Sequence, residues 1–349
     1  LASGQLIEQI TRFIVGIALV SCLLPFGLEF GAGALAFAVV IGEGAGLLVL
    51  LAFYWGNRPK GKDAGLEGKP ETGTIVKQLW HLSAPVTMSR ILATVMLSAK
   101  AVIIPSRLQL AGATIQQATQ MYGAFSGMAM SLLNFPTVIT SSLSSVLLPT
   151  IASALSQKHY RTLEIRVNQA FKITILTALP FSVLFFLLAE PLTQSFFNNR
   201  EAAISLKFLA PGCIFMYLQQ TTAGMLYGLG KMKRLFANSL VGNSMGLFVT
   251  YFLTGLPSFG IIGAVAGVLI GSVITSLLNI TTIFKNIPVT LELGSWVGKA
   301  LAATAAMAIF IILMERSLGL FLLIVVSGGL YLATLLVLKG LKWQDFYAK

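Results

Sequence analysis

The residues of this sequence that could do chemistry are ionisable groups placed inside long apolar runs. Glu8 and Arg12 stand four apart, on one helical face, and can pair with each other. Glu43 lies about halfway along the second apolar run, among glycines. Arg90 comes about eleven residues into the third run, and Lys100 follows near that run's far end. An ion at mid-bilayer costs about 2.5–3.5 kcal/mol on insertion scales, so each of these needs a partner, a wet cavity or a ligand. Arg12 and Arg90 therefore fit two uses: attracting an anionic ligand, or closing a buried ion pair that fixes helix register. Lys172 and Lys207 lie near run ends and can snorkel to the interface.

The stretch from Tyr122 to Leu155 (YGAFSGMAMSLLNFPTVITSSLSSVLLPTIASAL) is the most distinctive in the chain. Pro136 falls near the middle of its run, so the carbonyl of Leu132 loses its donor and the helix is expected to kink there. Asn134, Thr137, Thr140, Ser141 and Ser142 are close enough to satisfy the freed groups, which suits a bundle interior or a cavity. A kinked packing helix without any ligand contact is the other reading.

Several chemistries are excluded. His81 and His159 lack the partners that a metal site or a catalytic triad needs. Cys22 and Cys213 lie far apart in apolar runs and read as packing residues. There is no phosphate-binding Gly-rich loop, no pair of carboxylates at a membrane edge and no sizeable polar domain. A primary pump and a membrane glycosyltransferase are thus disfavoured, and nothing calls for a cofactor.

The elements that must hold these residues follow from composition. Of 349 residues 56% are hydrophobic and only 10% are charged, with a mean hydropathy of +0.84. Soluble domains carry about 25% charged residues, so this chain belongs in a lipid bilayer. Ten runs of about 20 apolar residues, the length that crosses the hydrocarbon layer, are expected near Gly4–Leu24, Gly31–Trp55, Leu79–Ile104, Ala118–Leu148, Ala170–Ala189, Lys207–Leu229, Phe236–Leu256, Ile261–Phe284, Val297–Leu313 and Gly319–Leu338. The fold class is an all-α transmembrane bundle.

Alternate loops then sort by charge. One side holds Lys158, Arg161, Arg166, Lys231, Lys233, Arg234, Lys285 and the tail with Lys339, Lys342 and Lys349. The other holds only Arg107, Arg200 and Arg316. This bias accounts for the net charge of +12 and puts the basic side in the cytoplasm. No basic helix or aromatic-interleaved patch suits nucleic acid. The one long polar stretch, Gly56–Gln78, mixes Gly, Pro and charges of both signs and reads as a solvated linker on that same side.

Phe30-Gly31 with Gly42 matches Phe259-Gly260 with Gly271 without a gap, 229 residues on, and the same offset lays the span of Gln9 over that of Asn238. This reads as a parallel duplication, an architecture found among transporters. Extended to a second unit beginning near Leu79, it leads to the expectation that about 150 residues precede Leu1 in a longer protein. Glycine pairs four apart (Gly42/Gly46, Gly123/Gly127, Gly224/Gly228, Gly242/Gly246 and Gly263/Gly267/Gly271) suit close helix packing.

GQLIEQITRFIVG, MSRILATVMLSAKAVIIPSRL and the Tyr122–Leu155 stretch resemble the stage V sporulation protein B group. That group sits in the polysaccharide-export branch of the multidrug/oligosaccharidyl-lipid/polysaccharide flippase superfamily. The resemblance implies fourteen spans, arranged as two six-helix lobes and two extra helices. Residues 1–55 would then be the last two helices of the first lobe, 56–78 the linker, 79–285 the second lobe and 286–349 the extra helices with the tail. It further implies a flippase-like transporter, working by alternating access, that moves a polyprenyl-pyrophosphate-linked glycan across a bacterial cytoplasmic membrane. Arg12 and Arg90 would hold the pyrophosphate, with Lys100, Glu8 and Glu43 nearby, and Asn134 and Pro136 at the helix kink. Two departures stand out: Ser131 replaces an expected proline, and Lys100 stands where an acidic or neutral polar residue is usual. The alternatives are an antiporter of organic cations using a coupling ion at Glu43, and a membrane scaffold that transports nothing.

Overall fold

The structure is a computed structural model and describes residues 2–56, 72–287, 294 and 296–340. All regular structure among them is helical. Contacts divide the chain into two compact units, Leu1–Thr72 and Gly73–Lys349.

The first unit is a helical hairpin. Helix α1 (Ala2–Leu23) and helix α2 (Leu28–Gly56) are joined by a single turn of 3₁₀ helix, Leu24–Phe26. Pro25 starts that turn, and Gly27 ends it at φ 137°, a conformation that only glycine adopts without strain. The expected second span began at Gly31; the helix starts three residues sooner.

The second unit opens with α3 (Thr72–Leu110), 39 residues long. It takes in Thr72–Gln78, which the sequence suggested was linker, because those residues contain no proline and a single glycine. The rest of the expected linker, 57–71, and the tail from 341 lie outside the described residues. The chain continues through α4 (Ile115–Gly123), a π-helical turn (Ala124–Ala129), α5 (Met130–Asn134) and α6 (Thr137–Ser156). Then come α7 (Tyr160–Leu187), α8 (Ala189–Phe197), α9 (Glu201–Leu209), α10 (Cys213–Gly228), α11 (Met232–Thr254) and α12 (Ile261–Asn286). Helices α13 (Val297–Met314) and α14 (Leu320–Val337) finish the unit.

Two expectations are corrected. The fourth span is not one rod from Ala118 to Leu148; it runs from Ile115 to Ser156 and is broken twice. The segment Glu190–Ser205, read as a loop, is mostly the helices α8 and α9. Among the described residues nine runs are long and apolar enough to cross a bilayer. The tenth expected span is α11, whose asparagines, glycines and basic first turn dilute its hydropathy. Its 23 residues still reach about 35 Å, and it lies along α12 for its length.

The core of the second unit forms two clusters around α7 and α10, one reaching α13 and α14 and the other α6, α11 and α12. Loop charge separates the unit's two ends. Lys231 and Arg234 share a cavity with Lys285, and Lys299 Nζ donates to the Lys339 carbonyl at 3.4 Å. The other end of the unit holds Glu190, Glu201 and Glu315 alongside Lys207 and Arg200, which pairs to Glu190 at 3.4 Å.

Candidate functional site

In the hairpin of the first unit, Gly4, Glu8, Arg12 and Gly16 recur every four residues and so form one row along α1. They face Leu50, Gly46, Gly42 and Ala38 of α2, also four apart. A Cβ on Gly42 would lie 3.0 Å from Arg12 Cβ, and one on Gly46 would lie 3.2 Å from Glu8 Cβ. Glycine on α2 is thus what lets α1 carry two long charged side chains in a close seam. Arg12 Nη2 donates to Glu8 Oε1, and the two side chains are 31% and 26% exposed. Arg12 Nε is buried and has no partner among the described residues. The structure therefore places Glu8 and Arg12 together in a helix seam, where they neutralise each other. Glu43 lies one residue off that seam and is exposed.

On α3 the two candidate cations part company. Residues 89, 92, 96, 99, 100, 103, 104, 107 and 108 are half-buried or buried and trace one helical stripe, whose far end, at Ile104 and Leu108, joins the core of the unit. Lys100 belongs to the stripe. Arg90 lies off it and is exposed, with no ion pair among the described residues.

The break at Pro136 is as expected, and its repair is specific. The Leu132 carbonyl, deprived of the proline's missing N–H, accepts from Phe135 N at 3.2 Å. Thr137 Oγ1 donates to the Asn134 carbonyl. The Leu133 carbonyl accepts at 2.9 Å from the hydroxyl of Tyr217, a fully buried residue of α10. Tyr331 of α14 acts directly on a proline-freed carbonyl: its hydroxyl donates at 2.8 Å to the carbonyl of Leu176, whose helical donor would have been Pro180. Neither tyrosine was singled out by sequence reading. A proline announces a freed carbonyl four residues back, but not which distant hydroxyl will reach it. Ahead of this break, the π-helical turn Ala124–Ala129 adds a second irregularity, of a kind frequent at functional sites.

Polar groups also collect inside the second unit. Thr174 and Thr221 share a hydrogen bond of 2.7 Å between α7 and α10. Asn238 of α11 donates to Asn279 Oδ1 at 3.0 Å and to Thr282 at 3.2 Å, and Asn279 donates to Thr222 at 3.2 Å. These bonds tie α10, α11 and α12 together.

Residues 124–252 match the MatE family model. Stage V sporulation protein B of Bacillus subtilis (strain 168) is 29% identical over 297 residues, which cover 85% of this chain and 57% of that protein. These matches make the chain similar to proteins of the multidrug/oligosaccharidyl-lipid/polysaccharide flippase superfamily. Lipid II flippase MurJ of the same organism is 25% identical over 259 residues, covering 69% of this chain and 46% of that one. A solved structure, a multidrug resistance MATE family transporter of this superfamily in an inward-facing conformation, shares the fold. It superposes with a TM-score of 0.55 at 16% identity, covering 79% of this chain and 63% of that one. The chain spans about half the length of the curated relatives it matches. With nine described runs long and apolar enough to cross a bilayer it is a multi-pass membrane protein, and its polar side chains inside the second unit are interhelical contacts.

Proposed function

We propose that the chain is part of a flippase-like transporter of the bacterial cytoplasmic membrane, moving a lipid-linked oligosaccharide or peptidoglycan precursor by alternating access. The observation that carries this reading is Arg90, an exposed cation within the first turns of the bilayer-spanning run Val86–Leu110 and without an ion-pair partner among the described residues. An unpaired charge within a spanning run is costly unless a wet cavity or an anion meets it. The pyrophosphate of a polyprenyl-linked glycan supplies such an anion, and the polyprenyl tail remains in lipid.

Lys100, half-buried on the same helix, acts as a second cation. Arg12 contributes less than its type suggests, because Glu8 already holds it; its free Nε is what remains for a ligand. Glu43, exposed near mid-helix, is the group available to a coupling ion. In this reading residues 1–55 close one lobe, 79–285 make the other and 286–349 add two helices. The basic loop ends face the cytoplasm.

The test is transport of a fluorescent lipid-linked precursor by the full-length gene product in proteoliposomes. Arg90→Ala is expected to cut the initial rate at least tenfold while elution profile and helicity stay unchanged. An unaltered rate removes Arg90 from the site.

A further inference from the structure

We infer that the second unit holds a binding site for the phosphate headgroup of an anionic membrane lipid, between the first turn of α11 and the last turn of α12. This site is separate from the charges assigned to transport and does not rest on that assignment. A cavity of about 430 Å³ opens there, walled by Lys231 and Arg234 on α11 and by Lys285 on α12.

The chemistry of the wall selects the ligand. The floor is Asn238, which is buried and spends its amide on Asn279 and Thr282. The neutral donors at the rim are also engaged: the Thr281 and Thr282 hydroxyls donate to the Leu278 carbonyl, and the Asn286 amide donates to the Thr282 carbonyl. The donors left facing the cavity are the three cations, none of which has an ion pair among the described residues. A neutral sugar would find few free donors here; a phosphate finds three charged ones. The start of α11 adds to this, since Lys231 at its N-cap makes no side-chain cap and leaves the first-turn N–H groups open to an anion.

A lipid, rather than free phosphate, is indicated by the surface next to the cavity. One turn deeper, Val241 of α11 and Leu277 of α12 are exposed, and the exposed apolar residues on that face of α11 continue through Met245 and Phe248. An occupant with an anionic head in the cavity can lay its acyl chains along that face. Basic pockets between spanning helices at the cytoplasmic face recognise anionic headgroups by this arrangement.

The experiment is lipid binding to the full chain in neutral detergent, read by native mass spectrometry, with phosphatidylglycerol, phosphatidylcholine and inorganic phosphate as probes. Phosphatidylglycerol is expected to bind at least tenfold more tightly than phosphatidylcholine. The triple variant Lys231→Gln/Arg234→Gln/Lys285→Gln should lose that preference. Thr281→Trp, which blocks the mouth and keeps every charge, should lower binding too, so the site stays testable if the triple variant folds poorly. Lys158→Gln/Arg161→Gln, cations at the same end but outside the cavity, should leave binding unchanged. Equal loss in that control, no loss in the cavity variants, or inorganic phosphate binding as tightly as the lipid would each overturn the proposal.

Discussion

At the scale of single residues, the informative contrast is between Arg12 and Arg90. Both are arginines within spanning runs, yet one is spent on Glu8 inside a helix seam and the other stands free of an ion pair among the described residues. Replacing Arg12 alone leaves Glu8 half-buried without its cation, so Arg12→Gln should destabilise more than the double variant Glu8→Gln/Arg12→Gln. A double-mutant cycle on thermal stability is expected to give a coupling of about 0.5–1 kcal/mol. Additive effects would show that the pair is incidental. The two tyrosine hydroxyls make a sharper case, because each donates to a backbone carbonyl at or beside a proline-freed position. Tyr217→Phe keeps the ring and removes one oxygen, leaving the Leu133 carbonyl unpaired in a buried place. A loss of about 1–3 kcal/mol is expected, seen as a lower midpoint in thermal unfolding in detergent. No change in midpoint would mean that water replaces the hydroxyl.

At the scale of elements, the two hairpins share one construction. In each, a row of residues four apart on the first helix meets a row four apart on the second. In the α11–α12 hairpin, Gly242 meets Thr275 and Gly271, Gly246 meets Gly267 and Gly271, and Gly267 meets Thr250. The offset of 229 holds for the second helices, carrying Ala38, Gly42 and Gly46 onto Gly267, Gly271 and Thr275. It does not hold for the first helices. Glu8 and Arg12 occupy the seam positions of Gly242 and Gly246, and Gly4, not Gln9, matches Asn238. The charged pair thus sits where the other hairpin has two glycines in its seam. A Cβ at Gly242 would fall 1.9 Å from Thr275 Oγ1, and one at Gly246 would fall 2.6 Å from the Gly267 carbonyl oxygen. Gly242→Leu should therefore force α11 from α12 and cost about 1–3 kcal/mol or more, measured by protease resistance in membranes. Gly123 and Gly127, read as another packing pair, have nothing within 4 Å of a built Cβ. Gly127→Ala should be neutral or stabilising by up to about 1 kcal/mol; a loss equal to that of Gly242→Leu would contradict the packing argument.

At the scale of the whole molecule, charge sorting gives a testable orientation. The basic ends of α7, α11 and α12 should face the cytoplasm, and the Glu190–Arg200 and Glu315 end should face outward. Cys22 is exposed and Cys213 buried, so Cys22→Ser gives a quiet background for labelling. In intact cells a membrane-impermeant maleimide should modify Ser317→Cys, and Ser156→Cys should react only after lysis. The reverse pattern would invert the topology and move the proposed headgroup site to the outer leaflet.

The sequence by itself determined that the chain is a membrane-spanning helical bundle, because a bilayer demands long apolar runs and internally satisfied backbone. It also determined where charges are rare enough to matter, and that Pro136 must leave a carbonyl without its helical donor, since a missing N–H is a covalent fact. Those are properties of composition and local spacing. The tertiary structure decided the rest. It put Arg12 in a seam with Glu8 and left Arg90 outside one, although their types and depths look alike along the chain. It chose Tyr217 and Tyr331 as donors for carbonyls 84 and 155 residues away. It also gathered Lys231, Arg234 and Lys285, which alternating loop charge had shown only as members of one side, around a single cavity. The physical reason is common to all three. Hydrogen bonds and ion pairs act over a few ångströms, and which groups come that close is settled by how helices pack, a choice that residue type and sequence separation do not encode locally.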